Sequence, residues 1–276
     1  MRHKRALAAL AALLLAVGIW SFWLEPDSLQ VNEYDLPLLH CPPELVGLRI
    51  ALISDLHAGA PWIDLAKLKR VVQLTNAAHP ELVLLAGDFV AQNVLAGSPM
   101  PPDQFAPVLG ELRAPLGVYA VLGNHDTGYG RKPIARALAA AGIRPMDNRA
   151  WPIGRNASTF WLAGLAEFNL RPRHVVATLQ QVPPGAPLIL FAHQPFMFDF
   201  LPPGVDLMLA GHTHGGQINL PLLTRLAISP AIFKYLSGHF RQQTDLFVTR
   251  GIGTSVIPAR LRAPPEIALL TLRPES

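Results

Sequence analysis

Five short apolar runs each stop abruptly on a polar group, and this pattern constrains the fold more than any other feature of the chain. Leu48 to Ile53 runs into Ser54-Asp55-Leu56-His57, Leu82 to Ala86 into Gly87-Asp88, and Val118 to Leu122 into Gly123-Asn124-His125-Asp126. Leu188 to Ala192 runs into His193, and Leu207 to Ala210 into Gly211-His212-Thr213-His214. Runs this short and this apolar read as strands buried on both faces. Between them lie stretches of helical character: Ile63 to Ala78, closed by Pro80, then Gln104 to Leu112, Ile134 to Ala141, and Val175 to Val182, ended by Pro183-Pro184-Gly185. Phe160 to Ala166, Leu246 to Thr249 and Ile267 to Leu272 read as further strands. Repetition of strand, polar tip and helix predicts an α/β fold with helices covering both faces of the sheet structure. With 276 residues, half hydrophobic and 15% charged, the chain can bury one sizeable core.

The amino terminus is of a different character. Arg2, His3, Lys4 and Arg5 precede an uncharged apolar run from Ala6 to Leu24, about the length needed to cross a bilayer as a helix. Trp20, Phe22 and Trp23 stand at its far end, as in the aromatic belt of a membrane interface, and the basic cluster favours a cytoplasmic start. The bulky residues after Ser21 do not resemble a signal-peptide cleavage site, so an uncleaved anchor is expected, with the globular part outside the cytoplasm. Glu25 to Gly47, containing Pro37, Pro42 and Pro43, reads as an irregular connector. The expected division is therefore 1–24 anchor, 25–47 linker and 48–276 folded domain.

Charge and cysteine content exclude several classes. Arg2, Lys4 and Arg5 are three of the 23 basic residues, which leaves 20 against 19 acidic ones in the rest of the chain. No basic stripe with interleaved aromatics follows Glu25, so no nucleic-acid partner is expected. The single Cys41 can form neither an internal disulfide nor a thiolate metal cluster.

Taken one at a time the polar tips have ordinary explanations, since an Asp after a strand caps a helix and Gly-Asn makes a turn. Taken together they hold five of the ten histidines, and an α/β sheet brings such strand ends to one edge. Mixed oxygen and imidazole donors suit borderline divalent metals such as Mn, Fe, Zn or Co. The donors outnumber what one ion needs. Two ions about 3.5–4 Å apart sharing a carboxylate would use them all, in an arrangement suited to phosphoester hydrolysis.

These blocks, D-x-H, G-D, G-N-H-D, H and G-H-x-H in that order, resemble the calcineurin-like metallophosphoesterases from about Leu48 onward. The tail GIGTSVIPARLRAPPEIALLTL and the stretch GHTHGGQ are similar to the membrane-anchored bacterial YkuE/YaeI-type phosphodiesterase branch. The resemblance implies a β-sandwich core flanked by helices, in four layers αββα, preceded by one transmembrane helix. It implies two divalent ions, Mn, Fe or Zn, with Asp55, His57 and His214 on one, Asn124, His193 and His212 on the other, and Asp88 bridging. A water or hydroxide held between the ions would then attack phosphorus. His125 would protonate the leaving oxygen or stabilise phosphate charge, and Asp126 would orient His125.

The implied function is a phosphodiesterase or pyrophosphatase acting on a phosphate ester at or near the membrane, a lipid-linked one included, from the outer side of the bacterial inner membrane. Soluble nucleotides or phosphomonoesters are the alternative substrates, and a non-catalytic metal-binding scaffold is the alternative class. Three further features stay open in the sequence. Gly215 and Gly216 either admit backbone close to the site or end a strand. Apolar Asn219 to Phe240 either meets lipid or packs over the sheet. Arg250 either meets phosphate or forms a surface ion pair.

Overall fold

The structure, a computed structural model, describes residues 1–166, 172–220, 224 and 234–275. The helix α1 (Arg2–Ile19) continues through a π-helical turn, Trp20–Leu24, into the short α2 (Glu25–Asp27). None of the α1 side chains is buried, and Arg2–Asp27 is long and apolar enough to cross a membrane.

Two six-stranded sheets follow. Across the first sheet the order is β1 (Gln30–Leu38), β12 (Glu266–Pro274), β2 (Arg49–Ile53), β3 (Leu82–Leu85), β4 (Val118–Ala120) and β5 (Arg144–Pro145). Across the second it is β10 (Gly238–Arg241), β11 (Asp245–Val248), β9 (Leu207–Ala210), β8 (Leu188–Ala192), β7 (Ser158–Leu165) and β6 (Arg149–Arg155). Strands β2 to β5 are mutually parallel, as are β7, β8, β9 and β11.

The apolar runs are explained by burial on both faces. Successive side chains of a strand point to opposite sides, so Ile50 and Leu52 of β2 enter the core between the sheets, with Leu84, Phe160, Phe191 and Leu209, while Ala51 and Ile53 enter the core beneath the helices. That outer core is covered by α3 (Leu65–Ala77), α4 (Pro102–Leu109) and α6 (Arg131–Ala140). Helix α3 starts where Asp64 accepts the N–H of Lys67 at 2.8 Å, a side-chain N-cap. The opposite face of the second sheet is covered by α7 (Pro172–Leu179) and a 3₁₀ turn, Pro195–Phe200. The layers are thus helix, sheet, sheet, helix, as expected.

The connector expectation is corrected at one place. Gln30–Leu38 form a nine-residue strand, β1, parallel to β12. Pro37 is tolerated because β1 is the edge of its sheet, where one side of the strand needs no donor, and Leu36 and Leu38 are buried in the inter-sheet core. Of Asn219 to Phe240, residues 221–223 and 225–233 lie outside the described residues.

Candidate metal centre

The carboxyl ends of β2, β3, β4, β8 and β9 meet where the two sheets come together. The tips are tied to each other by main-chain bonds: Asp55 and His57 donate to the carbonyls of Gly87 and Asp88 at 2.9 Å each, and Gly211 donates to that of His193 at 3.0 Å. A bond from the His212 N–H to Asp55 Oδ2, 2.9 Å, joins one sheet to the other. These crossings need close backbone approach. A Cβ on Gly123 would lie 2.1 Å from Asp88 Oδ1, so only glycine fits there. After it comes α5 (Asn124–Tyr129), which carries Asn124, His125 and Asp126.

All seven expected ligands fall into one contiguous group. Asp55, His57 and His214 form one set and Asp88, His193 and His212 another, each with donor atoms within 4.8 Å of one another. The Nε2 atoms of His57 and His214 face each other at 3.2 Å, and His214 Nε2 lies 3.5 Å from Asp55 Oδ1. On the other side His193 Nε2 is 3.1 Å from Asp88 Oδ2, from Asn124 Oδ1 and from His212 Nδ1. Asp88 Oδ2 also lies 3.8 Å from His57 Nε2, which places this carboxylate between the two sets.

The residues fit divalent ions. Asp55 Oδ1 and His57 Nδ1 are buried without a hydrogen-bond partner among the described residues. Burial disfavours the charged imidazole and lowers His57 and His212 to about 3, and His214 well below its ordinary value, so these rings are neutral near pH 7 and keep a lone pair for a cation. Burial opposes ionisation of Asp88 too, but His193, His57 and His125 outweigh it and hold the carboxyl well below the usual range. Facing ring nitrogens, two carboxylates and one amide oxygen form a donor set for a borderline metal. The ring of His193 is fixed through Nδ1, 2.8 Å from the Ala86 carbonyl, the kind of outer contact that orients a ligating imidazole.

His125 stands at the rim of this group, with Nε2 3.9 Å from Asp88 Oδ2. Its expected partner is elsewhere, and the orienting role of Asp126 is corrected. Asp126 Oδ2 accepts the N–H groups of Asp88 and Gly123, both at 2.9 Å, and Oδ1 accepts those of Phe89 at 2.8 Å and Val90 at 3.3 Å. Among the described residues the Nδ1 of His125 has no hydrogen-bond partner. Asp126 is therefore a clamp between the Gly87-Asp88 and Gly123-Asn124 loops. Burial and the charge of Asp88 push its carboxyl up to about 7, against the pull of the main-chain donors.

Two residues are missed by the sequence reading. Arg260 is fully buried, and its guanidinium donates to the carbonyls of Gly253, Ala263 and Arg250 and lies 3.4 Å from His214 Nδ1. Glu25 is buried at the end of the apolar helix and accepts the N–H of Ala263 at 2.7 Å. The sequence signal for Arg260 was a basic residue inside the apolar stretch Val256 to Ala263. Arg250 forms an ion pair with buried Glu266, 3.8 Å away. Gly215 and Gly216 both take positive φ, so they turn the chain after His214 in a way that favours glycine.

Two sandwiched sheets with a histidine- and aspartate-lined junction at their strand ends define an α/β protein whose strand-end side chains could hold a metal ion. The calcineurin-like phosphoesterase family matches residues 48–216, and the chain belongs to that family. It is 29% identical to the uncharacterized metallophosphoesterase YkuE of Bacillus subtilis, over 98% of this chain and 96% of that one. It is likewise 29% identical to the phosphodiesterase YaeI of Escherichia coli, over 98% of both chains. With the UDP-2,3-diacylglucosamine pyrophosphatase LpxG of Chlamydia muridarum the identity is 27%, over 96% of this chain and 95% of that one. Among solved structures, the sulfate thiohydrolase SoxB of Thermus thermophilus superposes with a TM-score of 0.52 at 13% identity, over 85% of this chain and 58% of that one, a likeness of fold.

Proposed function

We propose that the chain is a dinuclear metal-dependent phosphoesterase, of the phosphodiesterase or pyrophosphatase type, working at the bilayer that its amino-terminal helix enters. The position of Asp88 between two ligand sets carries this reading, because a shared carboxylate is what two adjacent cations require. Asp55, His57 and His214 would hold one ion, Asn124, His193 and His212 the other, with Asp88 common to both. Ions of the Mn, Fe or Zn kind bound there would supply Lewis acidity toward phosphoryl oxygens and a water activated at neutral pH.

The chain's own residues do the rest. Asn124 adds a ligand without a third negative charge, which keeps the site attractive to an anionic ester. His125, at the rim and partly accessible, delivers a proton from Nε2 to the departing oxygen. Its main-chain N–H is held by Asp88 Oδ1 at 2.9 Å, which fixes its distance from the ligand sets. Asp126 keeps the two loops in register.

Membrane placement supports a substrate at the bilayer surface, as does the lipid-linked pyrophosphate substrate in the name of LpxG. Residues 1–24 would be a single-pass anchor in a bacterial inner membrane, with the domain outside the cytoplasm. Ser21 and Glu25, at the end of that segment, are buried in the fold, which supports retention of the segment in the mature chain.

The test uses the full chain in detergent: metal content is measured, and hydrolysis of bis(p-nitrophenyl) phosphate is compared with that of p-nitrophenyl phosphate with Mn added. Preference for the diester is expected, with loss of rate in Asp88→Asn. Equal rates for wild type and Asp88→Asn would end the catalytic reading, and preference for the monoester would favour a soluble phosphomonoester.

A further inference from the structure

We propose that the loop carrying Val256 and Ile257, with the adjoining turn at Leu95, forms an apolar rim that sits in the same bilayer as α1, so that the metal centre is seated on the membrane. The inference rests on reading Arg2–Asp27 as a membrane helix, and it adds an interaction surface that no part of the catalytic reading requires.

The rim is exposed and contiguous. Leu95 is 67% exposed, Val256 64%, Ile257 43% and Ile218 36%. The Leu95 N–H bonds the Val256 carbonyl at 2.8 Å, the Gln217 side chain bonds that of Ile257 at 2.8 Å, and Ile218 bridges to Leu261. Val256 also has a φ of 63°, in the left-handed region where a β-branched side chain is strained. Water offers nothing to offset the exposure of these side chains. Lipid does, since apolar area buried at the interface is favourable.

Continuity with the helix identifies lipid as the occupant. The loop is bonded directly to the end of the apolar segment: the Arg260 N–H donates to the Ser21 carbonyl at 2.8 Å and the Ala263 N–H to Glu25 Oε1 at 2.7 Å, while Trp20 Nε1 donates to Glu25 Oε2 at 2.6 Å. Val256 is thus only four residues from a main-chain contact with the helix end. Arg262, exposed beside the rim, suits anionic head groups. The same loop reaches the metal centre, because Gly253 donates to the Asp55 carbonyl at 2.6 Å and the Arg260 guanidinium lies 3.4 Å from His214.

The test is a depth measurement on the full chain in vesicles of phosphatidylcholine and phosphatidylglycerol. In a Cys41→Ser background, single cysteines at Val256→Cys, Ile257→Cys, Leu13→Cys and Val176→Cys carry an environment-sensitive nitrobenzoxadiazole label. Val176 on α7 is 47% exposed and serves as the aqueous reference. The labels at 256 and 257 are expected to emit to the blue of that at 176, to be quenched by nitroxide lipids as at 13, and to be shielded several-fold from aqueous iodide. Ile257→Cys keeps the result interpretable if the strained position does not tolerate change. Labels at 256 and 257 that behave as at 176, with 13 in lipid, would overturn the rim and leave the anchor standing; water around 13 as well would overturn both. Shielding lost on dilution to one chain per vesicle would assign the rim to a second copy, against the proposal. No hydrolysis is read, so failure of the phosphoesterase reading shows separately.

Discussion

Replacing Asp126 with asparagine distinguishes a loop clamp from a partner of His125. At pH 8 the carboxyl, pushed up to about 7 by burial and by Asp88, is ionised. It holds N–H groups of both loops, those of Asp88 and Gly123 at 2.9 Å and that of Phe89 at 2.8 Å. Asparagine keeps one acceptor oxygen, and its amide nitrogen faces donors on either side. The less harmful side is that of Phe89 and Val90, where the second contact is already long at 3.3 Å. The bond from Phe89 and the longer one from Val90 are then both lost, and the two on the other oxygen become neutral, at about 1.5–3 kcal/mol for a full-strength bond to a charged group. Relief from burying a charge offsets most of this, because a carboxyl raised from 3.8 to about 7 costs roughly 4 kcal/mol when ionised in the fold, leaving a net loss of about 1–2 kcal/mol. For a domain of this size that lowers Tm by roughly 2–8 °C. Thermal unfolding of the full chain at pH 8, followed by circular dichroism, should show the same drop in the wild-type and His125→Ala backgrounds, because the bonds do not involve the ring. An unchanged Tm, with an activity loss that vanishes once His125 is alanine, would refute the clamp.

His125→Ala should retain its metal, measured by elemental analysis, while turnover falls by roughly 10²–10⁴-fold; loss of metal would instead make His125 a ligand. In Gly211→Ala the new Cβ meets Ser54 Oγ at 2.0 Å and Asp55 Oδ2 at 2.7 Å. It should lower stability by about 1–3 kcal/mol and loosen metal binding through Asp55, read by melting and by metal titration. Asp245 is fully buried; burial favours its neutral form, yet His239 at 2.7 Å, Arg241 at 2.8 Å and the Leu39 N–H at 2.6 Å outweigh it and hold the carboxyl below its ordinary value. A depressed carboxyl adds stability above its unfolded pKa and loses it as pH falls through the folded one, so Asp245→Asn should melt lower than wild type at pH 7, with the gap closing below about pH 4.

The strand ends were legible because burial on both faces forces an uninterrupted apolar run, and a polar residue where such a run stops has few places to go but the sheet edge. Asp55, His57, Asp88, Asn124, His125, Asp126, His193, His212 and His214 could be grouped on that ground, and the resemblance to the calcineurin-like family then singled out seven of them as expected ligands. Partnerships at the level of atoms were not legible. The neighbour of Asp126 in sequence is His125, but its acceptor oxygens are filled by main-chain donors, which carry no residue-type signal. Arg260 shares that difficulty, since its partners are carbonyls of Gly253, Ala263 and Arg250. Strand β1 was hidden by Pro37, whose missing donor counts against a strand everywhere except at an edge.

Strain at the candidate metal centre also explains why the loops are so heavily cross-tied. Asp55, His57, Asp88, His212 and His214, five of the seven proposed ligands, take positive φ without being glycine. Each such residue costs about 1–3 kcal/mol unless its surroundings impose the conformation. Here they do: Asp55 is held through its N–H by Gly87, through its carbonyl by Gly253, and through Oδ2 by the N–H of His212, while His57 is held by Asp88. The proposed ligand positions are thereby set by main-chain bonds, so a cation bound there would not spend binding energy in ordering them. The Gly253 bond belongs to the loop that Arg260 and Ala263 fasten to Ser21 and Glu25, so the framework that strains the ligands is continuous with the helix end. A change at that helix end should therefore reach Asp55 and His214 through Gly253 and Arg260, with no need for contact between the helix and the metal centre.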